Sequence, residues 1–152
     1  MKISTLLITT THQDRIHLFE NAIQSLEDAG INDISKEKIL SIDILPDHQF
    51  KPFYYEKYEK LGWKIIIGEC CGYRSMIHNI KRGLYHITGD YIFYCEDDII
   101  VNKIPKEIRA NLRYYYKNNK KIGFICYNTH IHEIYIKPGD KIKEDYINNL
   151  NN

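Results

Sequence analysis

The ten residues from Gly89 to Asp98, Gly-Asp-Tyr-Ile-Phe-Tyr-Cys-Glu-Asp-Asp, constrain this chain more than any other stretch. Tyr91 to Cys95 are aromatic, β-branched or otherwise apolar, and none carries a charge. Such a run reads as a buried central strand of an open α/β sheet, covered on both faces. It leads directly into Glu96, Asp97 and Asp98. These acids therefore stand at the carboxyl end of a strand, where open α/β sheets bind their ligands. Three adjacent carboxylates repel one another, and a divalent cation would offset that repulsion. Oxygen ligands suit Mg²⁺ or Mn²⁺, which commonly use one or two carboxylates together with substrate phosphates. An acid run on a solvated loop is the ordinary alternative. Here the run is anchored between the apolar strand and Ile99-Ile100-Val101.

The rest of the chain predicts the setting for that strand. Lys2 to Thr9 reads as a first strand, followed by the polar turn Thr9-Thr10-Thr11-His12-Gln13. Asp14 is placed to cap a helix, whose apolar face is Ile16, Phe19, Ile23 and Leu26 and whose end is Gly30. Residues 31–37 read as polar linker, Ile39 to Leu45 as a second strand, and Pro46-Asp47-His48-Gln49 as its terminator. A short helix from Tyr54 to Leu61 precedes a third strand, Trp63 to Ile67, which Gly68 is expected to end. After Gly72, the residues Met76, Ile77, Ile80, Leu84 and Ile87 form a helical stripe that reads as core. Pro105 lies near the start of a helix reaching about Tyr116, and Ile122 to Tyr127 is a further strand. A tail helix is expected over Ile142 to Leu150. Alternation of this kind predicts an α/β fold, a mostly parallel central sheet with helices on both faces. No GxGxxG follows the first strand and no GxxxxGK[ST] occurs, which argues against a typical dinucleotide or P-loop site.

At 152 residues the chain suits a single domain with a real core, spanning 1–152. A net charge of +1 points to neither nucleic acid nor an anionic membrane. The Lys-rich end of the helix that carries Tyr114-Tyr115-Tyr116 is accounted for by cations at a helix carboxyl terminus. The four cysteines show no CxxC or zinc-like spacing, and Cys95 and Cys126 read as buried apolar residues. The opening apolar run is too short and too broken by hydroxyls for a signal peptide, and no stretch approaches transmembrane length. A cytoplasmic protein is expected.

With these residues in hand, the chain resembles the nucleotide-sugar-binding half of GT-A glycosyltransferases, especially family 2. The resemblance rests on Gly89-Asp90-Tyr91-Ile92 and the strand running into Glu96-Asp97-Asp98, which is similar to a DxD-type metal motif. The EDD form is similar to that of some GT-A N-acetylglucosaminyltransferases. It covers roughly residues 2–128, the Rossmann-like GT-A core, with 129–152 as a short extension. It implies a metal-dependent transferase that moves a sugar from a nucleotide diphosphate, with UDP-sugar favoured, to an acceptor it does not identify. By that resemblance Asp98 is the direct ligand of Mn²⁺ or Mg²⁺, and Glu96, in place of the usual first Asp, is the second, directly or through water. Asp97 lies towards the ribose. The metal would bridge both phosphates and stabilise the departing diphosphate.

Thr9 and Thr10, at the end of the first strand, are placed to meet base or ribose, unless they form only a turn. The family's acid after the second strand is either Asp43 or Asp47; a charge within a strand needs a partner, which favours Asp43. Arg74 is placed to reach base or phosphate, or is a solvated arginine at a helix start. Asn79 lies further before Gly89 than the family's Arg-Asn pair does, with Lys81 and Arg82 nearer that position, so no role passes to Asn79. Family members continue well beyond the fifth strand, whereas 24 residues follow Asn128 here. A partner chain or oligomer is therefore expected to complete the acceptor site. His132, Glu133 and Asp145 are candidates for the catalytic base; an edge loop with His130 and ordinary acidity at a helix start account for them as well. Two other functions fit the residues: a nucleotide-sugar-binding module that catalyses nothing alone, and a different metal-dependent phosphoryl-transfer enzyme.

Overall fold

The computed structural model describes residues 1–11, 13–45, 53–70 and 72–118. The chain divides into two compact units, Met1–Pro105 and Lys106–Asn152. In the first, β1 (Ile3–Thr10) is followed by α1 (Gln13–Asp28), the short α2 (Ile31–Ile34), β2 (Glu37–Ile44), α3 (Phe53–Lys60) and β3 (Trp63–Glu69). A single 3₁₀ turn, Gly72–Arg74, then leads into α4 (Ser75–Tyr85) and β4 (Tyr91–Glu96). The strands form one sheet in the order β3-β2-β1-β4, and every pairing is parallel. The α/β fold expected from the alternation is the fold observed. In the second unit the described helix is α5 (Ile108–Asn118). The expected strand Ile122–Tyr127, the tail helix and the boundary at residue 128 lie outside the described residues.

Register sorts the strand residues onto two faces, because side chains alternate along a strand and in-register partners lie side by side. One face carries Leu6 beside Ile39 and Tyr94, and Ile8 beside Ser41 and Glu96. This face takes α4, whose Gly83 approaches so closely that a Cβ there would collide with Leu6 Cδ1. Leu6, Ile8 and Ile39 form a buried cluster, against which Ile66, Ile80, Ile87 and Tyr94 pack. The opposite face takes α1 and α3. There Lys38, although charged, is 4% exposed. Its Nζ donates to Glu27 Oε1 at 2.7 Å, Asn32 Oδ1 at 2.6 Å and the Leu61 carbonyl at 2.6 Å. Trp63 Nε1 donates to the same Glu27 oxygen at 2.9 Å. A buried charge is tolerable when it is paired and its remaining protons are satisfied, and this one ties α1 to β2 and β3. Tyr58 of α3 meets Phe19 of α1 edge-on at 5.0 Å.

Five expectations are corrected. Residues 31–34 form α2 and not linker, because Ile31 and Ile34, three apart, bury on one side. Asp14 falls inside α1, which begins at Gln13. β3 runs on through Gly68 to Glu69; the glycine serves close approach, since the Arg82 guanidinium lies where its Cβ would be. The stripe on α4 is displaced: Ser75, Asn79 and Gly83 face the sheet, while Met76, Ile77 and Leu84 are exposed. Finally, β1 and β2 are the inner strands of the described sheet; β4 lies outermost, beside β1 alone, and Ile92 is 43% exposed.

Candidate functional site

The chain order β1-β2-β3 runs outward in one direction, and β4 then returns to the other side of β1. The direction of winding thus reverses between β1 and β4, and in α/β sheets a crevice opens at such a switch point outside the carboxyl ends of the strands. β1 ends there in Thr9 and Thr10, and β4 ends in Glu96, with Asp97 and Asp98 forming the turn beyond.

Asp97 is buried, two residues past Cys95, and accepts a hydrogen bond from Thr9 Oγ1 at 2.7 Å. Arg15, in the first turn of α1, grips both of its carboxylate oxygens: Nε donates to Oδ2 at 3.0 Å and Nη2 donates to Oδ1. The same Nη2 lies 3.4 Å from Asp98 Oδ2, while the Asp98 side chain is 51% exposed. The hydrogen bond to Asp97 leads in holding the Arg15 pKa above its ordinary value; partial burial opposes it, and the charges of Asp97 and Asp98 add to it. Asp97 is therefore neutralised within the protein. The repulsion expected among three acids is relieved at Asp97 by a guanidinium.

Glu96 points to the other face, where Tyr94 Oη donates to its Oε1 at 3.1 Å. Burial first, and then the Glu96 charge, hold the Tyr94 phenol above its ordinary pKa, so it acts as a donor there. Cys95 between them is a free, buried thiol that burial pushes up to about 12, as an inert apolar residue should be.

A second buried aspartate lies across β1. Asp43, near the end of β2, is 1% exposed and faces α4. Ser75 Oγ donates to its Oδ2 and Arg82 Nη2 to its Oδ1. Arg82 Nη2 also reaches Asn79 Oδ1 at 3.2 Å, and Asn79 Nδ2 donates to the Thr9 carbonyl at 2.8 Å. The partner that a charge within a strand demands is thus Arg82, and the role of Asp43 in this arrangement is to seat α4 on the sheet edge.

Thr9, Asp97, Asp98, Glu96 and Asp43 are brought together at one edge of the sheet, with Thr10 beside them in register with Asp43. The Thr9 hydroxyl is committed to Asp97, and both carboxylate oxygens of Asp43 to α4. Arg74 stands exposed at the start of α4 and makes no ion pair among the described residues. Asp47, His130, His132, Glu133 and Asp145 lie outside the described residues. Sequence reasoning did not single out Arg15. The signal was a cation in the first turn of a helix, where the dipole disfavours it, just past a strand end. Such a cation needs an anion, and three were available.

No group of three His, Cys, Asp or Glu side chains is arranged for a metal among the described residues. Mg²⁺ and Mn²⁺ do not require one when a substrate supplies phosphate oxygens. Asp98 keeps a half-exposed carboxylate beside Arg15, whereas the Glu96 carboxylate is turned to Tyr94 on the other face. Asp97 does not fit a donor set, because Arg15 and Thr9 occupy it. No protein-family model matches the chain, and no curated protein matches it.

Proposed function

We propose that this chain binds a nucleotide-diphosphate sugar and acts in a metal-dependent glycosyl transfer to an acceptor. The observation that carries the reading is the position of the acids. Asp98 stands half-exposed in the turn after β4, at the switch point of a parallel sheet and beyond the strand beside the one that ends in Thr9 and Thr10, and the adjacent buried acid is already neutralised. A crevice of this kind suits a nucleotide laid over the ends of β1 and β2 with its diphosphate reaching the end of β4. Asp98, with the diphosphate's own oxygens, would hold Mn²⁺ or Mg²⁺, which when bound supplies positive charge to a departing diphosphate. Thr10 and Arg74 are the groups of this chain best placed to meet the nucleotide. Thr9 and Asp43 support the floor of the crevice.

Melting temperature with and without Mn²⁺, across UDP, GDP, CDP and ADP, tests this. A ligand that binds the folded form alone raises the melting temperature. The expected result is a rise that needs both Mn²⁺ and one class of nucleotide and is absent in Asp98→Ala. A folded, cooperative protein that responds to no nucleotide overturns the reading. A metal-dependent nucleotide shift without turnover on any acceptor would assign a binding module.

A further inference from the structure

Among the described residues, α4 leaves one side uncovered. Ser75, Asn79 and Gly83 turn to the sheet. Helical spacing carries Ile77, Lys81, Leu84 and Tyr85 down the opposite side. All four are exposed, Ile77 by 58% and Tyr85 by 86%. Met76 beside them is exposed as well. Single apolar residues at a surface need no explanation, but four along one helix make a patch, and patches mark interaction sites.

The charge around this patch has one sign. The whole chain carries a net +1, yet residues 70–89 hold Arg74, Lys81 and Arg82, two histidines and no acid. Arg82 is spent on Asp43. Arg74 and Lys81 are exposed and make no ion pair among the described residues. Lys64 of β3 is exposed near the other end of α4, with its Nζ 3.4 Å from His86 Nδ1. Cations therefore stand near both ends of the patch and in its middle, which fits an anionic partner.

Lys81 decides between two kinds of partner. The centre of a protein–protein interface is depleted of lysine, so an ammonium among Ile77, Leu84 and Tyr85 disfavours one. At a lipid surface the apolar side chains enter the acyl boundary while a lysine extends its ammonium to the headgroups. Tyrosine suits the same level, with its ring in the apolar layer and its hydroxyl wet. We propose that the outer side of α4 docks this chain on an anionic membrane surface. Ile77, Leu84 and Tyr85 enter the boundary between headgroups and acyl chains, and Arg74, Lys81 and Lys64 meet lipid phosphates. The docking is peripheral and does not depend on the glycosyl-transfer reading.

Flotation of the full chain tests this with vesicles of phosphatidylcholine alone and with about 30% phosphatidylglycerol added. The expected result is binding to the anionic vesicles that weakens as salt is raised, and little binding to the neutral ones. Lys81→Gln and Lys64→Gln should each weaken it about fivefold. Ile77→Ser combined with Leu84→Ser should weaken it about tenfold or more. Leu61→Ser, at an exposed apolar residue just beyond α3, should leave it unchanged. Absence of vesicle binding overturns the proposal, and so does binding that ignores lipid charge. Binding that survives the Ile77→Ser, Leu84→Ser protein overturns it too, because another part of the chain would then carry it. A dimer without lipid that becomes a monomer in the same variant assigns this side to a second copy, which also overturns the proposal. Should that variant fail to fold, Tyr85→Ser and Lys81→Gln, both at exposed positions, decide in its place.

Discussion

Glu37 stands at the amino end of β2, at the opposite edge of the sheet from the acids. Ser4 Oγ donates to its Oε2, the Thr88 amide donates to the same oxygen at 2.9 Å, and Thr88 Oγ1 donates to Oε1 at 2.8 Å. Burial opposes the Glu37 charge, but these donors and the Lys2 ammonium outweigh it and lower the carboxyl from 4.5 to about 2. The folded value lies below the unfolded one. The stabilisation is therefore complete above about pH 4.5 and is lost as pH falls towards 2, and it amounts to about 3 kcal/mol. Glu37→Gln should be less stable by about that amount near pH 7, with the gap closing below about pH 4.5. Urea unfolding across pH checks this, and a deficit that does not shrink in acid would show that Glu37 acts through packing. Nothing in the linear pattern announced the residue, which falls in a stretch that reads as linker. Its partners come from residues 2, 4 and 88, and only the fold gathers them.

At the scale of elements, α4 is the instructive case. Its periodicity correctly predicts a helix, but of the apolar stripe only Ile80 and Ile87 pack on the core, while Met76, Ile77 and Leu84 are exposed. Ser75, Asn79 and Gly83, four apart, face the sheet because two of them satisfy Asp43 and Thr9 and the third lets the helix come close. A Cβ at Gly83 would collide with Leu6 and lie 3.3 Å from Ser41 Cβ. Helix propensity favours Gly→Ala by about 1 kcal/mol, whereas overpacking costs about 1–3 kcal/mol. Gly83→Ala should therefore be destabilising on balance, and Leu84→Ala, on the exposed side, should change stability by less than about 1 kcal/mol. Denaturant midpoints compare the two, and a stabilised Gly83→Ala would mean that α4 stands further off the sheet. Gly68 shows the same physics in a strand. Read alone it is a terminator; in place it is the gap through which Arg82 reaches Asp43.

For the whole molecule, the sheet order determines what is most protected. β1 and β2 are each paired on both sides and covered on both faces, with Leu6, Leu7, Ile39, Leu40 and Ile42 all fully buried. β3 and β4 are each paired on one side among the described strands. Native-state hydrogen exchange should find the amides of Ile3–Thr10 and Glu37–Ile44 slowest, opening only with global unfolding, and those of β4 faster. Slowest exchange in Tyr91–Glu96 would place β4 deeper than the described sheet does. No helix among the described residues is long and apolar enough to cross a membrane.

The local pattern of this chain was enough to specify the class of fold. Strand and helix periods, broken by Gly and Pro, leave few alternatives to a parallel sheet with covered faces, and the approach of β4 to three acids is written in consecutive residues. Which acid faces solvent was not written there. Glu96, Asp97 and Asp98 are chemically alike in sequence, and alternation along a strand places neighbours on opposite sides without saying what each side holds. The difference comes from Arg15, 82 residues before Asp97, and from Thr9, which only the packing of α1 and the pairing of β1 with β4 bring to the same edge. Long-range charge pairing of this kind leaves no periodic trace, because its partners are set by topology and their spacing along the chain is arbitrary.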